Sequence, residues 1–177
     1  MSNKEHPWSV PIRVEDVPEL GRHVALSADE TTRARLAEAA GVHDVTRMHA
    51  TFDVRRHGGA GLHVIGEISA TVRQTCVVTL DPVLNEVIEA VDLVFAPAGP
   101  GTGPAIPMGL DAEEPPEPMS DGVVDLGAVA TEFLVLGIDP YPRKPGAGFE
   151  LPEGPHREES PFAPLARWKK KHGSPER

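Results

Sequence analysis

One cysteine, Cys76, stands in 177 residues. A lone thiol excludes an intramolecular disulfide and fits a reducing compartment. Aromatic residues make up only 5% of the chain, so a core must be built from Val, Leu, Ile and Ala. No stretch approaches the roughly 20 consecutive apolar residues of a membrane span, and Met1–Val17 has no apolar run of signal-peptide type. These absences predict a cytoplasmic protein with no membrane partner. Cations are few as well. The net charge of −10 argues against general nucleic-acid binding, which needs clustered Lys and Arg against phosphate. The cations gather at Arg55-Arg56 and near the C-terminus. No GxSxG, HExxH or phosphate-binding glycine loop occurs, and Gly99–Pro104 is broken by proline and opens no helix.

What is abundant is proline, at 19 residues, and glycine, at 17, which implies much loop. Between the loops the patterning reads as a single α+β domain over residues 1–147. Trp8–Val14 is a short strand with Pro11 marking an edge. Arg22–Leu26 is a second extended piece. Ser27-Ala28-Asp29-Glu30 has the form of a capping box, with Ser27 as cap, opening a helix that runs to Ala40 and stops at Gly41. Arg33 and Arg35 fall on different sides of that helix and make no basic stripe. Val42–Arg56 and Leu62–Thr75 form a hairpin across Gly58–Gly61, and Val83–Phe95, rich in β-branched residues, makes a third strand. Glu86, Glu89 and Asp92 on it read as solvent-facing charge. A twisted antiparallel sheet follows, curled toward a barrel, with an early and a late helix packed on it. Residues 97–120, rich in proline and acid, read as a disordered linker. Val123-Val124 adds a short strand. Asp125 caps the late helix, whose apolar residues Leu126, Val129, Ala130, Phe133 and Leu134 share one stripe. Residues 148–177 read as a mobile tail.

Two blocks look like docking elements. Asp139–Gly146 carries Pro140, Pro142 and Pro145, which forbid helix and central strand and display Tyr141, Arg143 and Lys144 on a stiff extended backbone. Within the tail, residues 161–171 place Phe162, Leu165 and Trp168 ahead of Lys169, Lys170 and Lys171. The partner-binding candidates are therefore Tyr141, Arg143, Lys144, Trp168, Lys169, Lys170 and Lys171. The three lysines could meet RNA phosphate or an acidic protein surface. No cofactor is expected. A metal at Cys76 would need His49, His57 or His63 to converge on it, and strand geometry separates them. Cys76 is expected to be a buried or half-buried strand residue.

Several of these segments resemble a family. The late block, the opening Trp8-Ser9-Val10-Pro11 and the central Arg73-Gln74-Thr75-Cys76-Val77-Val78-Thr79-Leu80-Asp81-Pro82-Val83 are similar to those of the YceD family, in its alphaproteobacterial form, and the late block and the central segment are specific as a pair. Some relatives carry CxxC where this chain has Cys76 and Thr79. The resemblance implies a non-enzymatic factor supporting large-subunit ribosomal RNA accumulation or ribosome assembly. Its partner would be a ribosome-assembly protein or a large-subunit precursor, with RNA touched inside a larger complex. Two other classes stay open: a small hydrolase or nuclease using Cys76 or a histidine, and a protein-interaction module unrelated to ribosomes.

Overall fold

A computed structural model describes residues 6–97 and 115–148. The chain divides into two compact units, Met1–Lys144 and Pro145–Arg177. Of the second unit only residues 145–148 are described, a turn in which Gly146 has φ 79°. The central part of the expected linker, 98–114, and the tail from 149 onward, including the 161–171 segment, lie outside the described residues.

The first unit is α+β. Its strands are β1 (Pro11–Arg13), β2 (Arg22–Ser27), β3 (Asp44–His57), β4 (Gly61–Thr75), β5 (Pro82–Pro97), β6 (Glu117–Met119) and β7 (Val123–Asp125), and its helices α1 (Glu30–Ala40) and α2 (Leu126–Gly137). The main sheet has the order β2-β3-β4-β5-β6, antiparallel except for the parallel β5–β6 pair. β1 and β7 form a separate antiparallel ribbon. The sheet does not close into a barrel, because β2 and β6 remain its two edges rather than meeting each other.

Alternation explains the long strands. Met48, Ala50, Phe52 and Val54 of β3 face the core, with Leu62, Val64, Ile68, Ala70 and Val72 of β4 and Val83, Val87 and Val91 of β5. Val45 is buried too, although its parity differs from that of Met48. A register shift between Val45 and Arg47 turns the strand over at that point, as a bulge does. At Gly66, a methyl group would collide with the Thr51 carbonyl oxygen and the Phe52 ring, so the β3–β4 crossing admits only glycine there.

The inner face is covered by α1 through Leu36 and Ala37, by α2 through Leu126, Val129, Ala130 and Leu134, and by Trp8, Ile12 and Val17. Phe133 completes the expected α2 stripe as a partly buried residue. The cap of α1 differs from the sequence reading. Ser27 ends β2, and Asp29 is the cap, accepting from the Thr32 amide at 2.8 Å. Thr32 holds the Asp29 carboxyl below the usual carboxylate range through its side chain and its amide. Asp125 caps α2, accepting from Gly127 and Ala128, and the same carboxylate takes the Val10 amide at 2.7 Å and the Ser9 hydroxyl at 2.6 Å. Trp8 is buried, and its carbonyl lies where a side chain at Gly127 would project.

Order reaches into both ends of the expected linker. β5 continues to Pro97, and Glu117–Met119 pair with Phe95–Pro97 as β6. Pro118 is tolerated because β6 is an edge strand, where one face of the backbone needs no ladder partner.

Candidate functional site

β4 and β5 are joined by a turn running from Cys76 to Asp81. The Cys76 amide donates to the Asp81 carbonyl at 2.8 Å, and the Leu80 amide to the Cys76 carbonyl at 3.0 Å. Leu80 adopts φ 62°, a left-handed conformation seldom taken by a branched apolar residue. Its side chain is 75% exposed. Strain of this kind, held by the surrounding bonds, points outward here and serves no core.

The segment after α2 docks on this turn. Asp139 accepts the Tyr141 amide on its own carboxylate at 2.8 Å, a local turn that sends the chain back toward the sheet. The Val77 amide donates to the Pro142 carbonyl at 2.9 Å, and the Lys144 amide donates to the Cys76 sulfur at 3.3 Å. The Lys144 ammonium lies 3.0 Å from Asp81 Oδ2 and holds that carboxyl below the usual range. Beneath the junction, buried Gln74 donates to the Asp139 carbonyl and accepts from Asn85, both at 2.8 Å. Thus two blocks that the sequence presents separately, Arg73–Val83 and Asp139–Lys144, form one surface.

Burial within the late block is uneven. Pro142 is buried, whereas Tyr141 is 70% exposed and Arg143 and Lys144 are exposed. The block is therefore partly structural, which the proline pattern alone did not indicate. Of the expected binding residues, Tyr141 and Arg143 face outward from a backbone fixed on both sides. Lys144 spends its amide and its ammonium on the turn. Trp168, Lys169, Lys170 and Lys171 lie outside the described residues. The structure adds Val77 and Leu80, both exposed apolar residues beside the late block. The signal for them in the sequence was the pairing of apolar residues with Asp81 and Pro82, which are turn formers rather than strand formers.

Cys76 itself is not a strand residue; it sits just past β4, buried in the turn. Its sulfur accepts from Lys144 and from the Thr79 amide at 3.4 Å. These donors, Lys144 foremost, lower the thiol from 9.0 to about 6 against the opposing effect of burial. His43, joined to Thr75 Oγ1 at 2.7 Å, directs its ring nitrogen to that hydroxyl and not to the sulfur. His57 and His63 stack edge to face at 6.3 Å at the other end of the β3–β4 hairpin. Among the described residues no three His, Cys, Asp or Glu side chains are grouped as metal ligands.

The model of a family described as "Large ribosomal RNA subunit accumulation protein YceD" matches residues 64–169. That range takes in both halves of the junction. No curated protein and no solved structure matches the chain. No helix among the described residues is long and apolar enough to cross a membrane.

Proposed function

The chain belongs to the YceD family, and from that premise we propose that it is a non-enzymatic cytoplasmic factor that supports large-subunit ribosomal RNA accumulation by holding a ribosome-assembly protein or a large-subunit precursor. The contact surface is the junction of the β4–β5 turn with Asp139–Lys144. The observation that carries the reading is the pair of outward side chains, Tyr141 and Leu80, on backbone that is hydrogen-bonded in place from both blocks. Aromatic and arginine side chains around an apolar contact are the usual makings of a binding hot spot, and on a fixed backbone less main-chain freedom is left to lose. Arg143 supplies the cation. Trp168 with Lys169, Lys170 and Lys171 is assigned the same role on sequence grounds. The net charge of −10 favours protein contact, with RNA phosphate reached only inside a complex.

Co-sedimentation with precursor large subunits tests this. Tyr141→Ala with Arg143→Ala should leave the fold intact, since both side chains are exposed, and should weaken co-sedimentation. The wild-type association should also fall with added salt. Undiminished co-sedimentation by the folded double variant removes the junction from the contact.

A further inference from the structure

β5 has a second edge. β6 covers only Phe95–Pro97 of it, and among the described residues no strand lies beside Val83–Val94 on that side. Natural sheets blunt such edges with charged residues, lysine above all, with proline, with a bulge or with a covering element. β5 has no cation, no proline between Pro82 and Pro97, and an unbroken register with β4 from Leu62↔Phe95 to Thr75↔Pro82. Its outward residues include Leu84 and Ile88, the latter 64% exposed. The last turn of α2 lies close by, with Gly137 against the side chains of Val87 and Glu89. Val135 and Leu136 remain exposed there and line an open groove of about 530 Å³ with Phe95, Met119, Val129 and Glu132.

Charge narrows the choice of occupant. Between Arg73 and Arg143 the chain contains no lysine, arginine or histidine. Glu86 is matched by Arg47 of β3, and Asp92 by His63 of β4 when that ring is protonated. Glu89, Glu117 and Glu132 have no ion-pair partner among the described residues. A second copy pairing edge to edge would set this acid-only strand against itself. Residues 98–114 add only further acid.

We propose that the Val83–Val94 edge of β5 takes up an extended segment of a partner protein, alternating apolar and cationic residues, as an added strand. Backbone bonds to β5 supply affinity, apolar side chains lie beside Leu84 and Ile88 on one face, and on the other, toward the groove beside α2, Glu89 and Glu132 select for Lys or Arg. This surface is distinct from the junction and stands whether or not the junction binds a ribosomal partner.

The test is hydrogen exchange and fluorescence anisotropy on the full chain with three ten-residue peptides. The first alternates valine and lysine, the second alternates valine and glutamate, and the third is the first with every internal amide N-methylated, so that neither of its edges can donate to β5. The valine–lysine peptide should bind and slow exchange at those amides of Val83–Val94 that point away from β4, and the other two should not. Glu89→Lys with Glu132→Lys should weaken binding about tenfold. Equal binding of the N-methylated peptide would reduce the effect to charge attraction and overturn the proposal. So would slow exchange at these outward-pointing amides in the free chain. If independent of concentration, that result assigns the edge to another segment of the same chain; if it grows with concentration, to a second copy. The peptide arms use the wild-type chain, so the outcome does not depend on the variant folding.

Discussion

The amide of Lys144 donates to the sulfur of Cys76, 68 residues earlier in the chain, at 3.3 Å. Backbone donors of this kind favour the thiolate, and a second one arrives from Thr79. The cysteine therefore acts as an acceptor that pins the late block to the β4–β5 turn, where a small apolar residue could fill the space but not take the bond.

That role has a pH signature. The folded thiol titrates at about 6 against an ordinary 9.0, so between those values the unfolded chain binds more protons. Stability should accordingly rise from about pH 6 toward pH 9 and be lost as pH falls through about 6. Thermal melts across this range should show a steeper rise in Tm for the wild type than for Cys76→Ala. Parallel curves would remove the sulfur from the balance. Because Cys76 is buried, alkylation should be slow in the folded chain despite the low pKa and fast once it unfolds.

Gln74 links three elements beneath the junction. Gln74→Ala would leave the Asp139 carbonyl and the Asn85 amide without their partner, at a cost of about 1–3 kcal/mol. Denaturant titration measures the loss. A change below about 0.5 kcal/mol would mean that water replaces both bonds without penalty.

Asp125 caps α2 and also holds Ser9 and Val10. Asp125→Ala should lower stability by about 1–2 kcal/mol for the cap alone. It should also raise hydrogen exchange at Val10 and Leu126, whose amide donates to the Val10 carbonyl. Asp125→Asn, which retains an acceptor, should cost less. Equal losses in the two variants would show that charge, not acceptance, is what counts.

Gly66→Ala forces a methyl group into the Thr51 carbonyl and the Phe52 ring. The strands must part, and overpacking of this kind costs about 1–3 kcal/mol. Gly59, in the β3–β4 turn with open space around it, is the control: Gly59→Ala should change the denaturation midpoint little. Similar midpoints for both variants would contradict the crowding at Gly66.

The long strands were legible because Phe52, Val54, Val64, Ile68, Val87 and Val91 repeat on one face at strand spacing, and burial enforces that pattern. The α2 cap and stripe were legible for the same reason. The bulge at Val45 was not, since one inserted residue changes parity without changing composition. Ser27 and Asp29 are both good caps, and only the end of β2 decides between them. β6 was hidden because Glu117-Pro118-Met119 has little strand propensity of its own and pairs with residues far along the chain. At the site, both blocks could be picked out by residue type. Their union rests on the Pro142 carbonyl, the Cys76 sulfur and two amides, with the Gln74 side chain and the Lys144–Asp81 ion pair beside them, and no periodic side-chain pattern encodes it.

The Asp125 clamp bears on how the molecule is made. Its carboxylate joins residues 115 and 116 positions apart, and β1 waits for β7 across a similar distance. Closing loops of that size is entropically slow compared with forming the β3–β4 hairpin. During synthesis the hairpin can form early. Trp8 and the first strand have no place to settle until the start of α2 has left the ribosome, so residues made long before α2 are among the last to be folded.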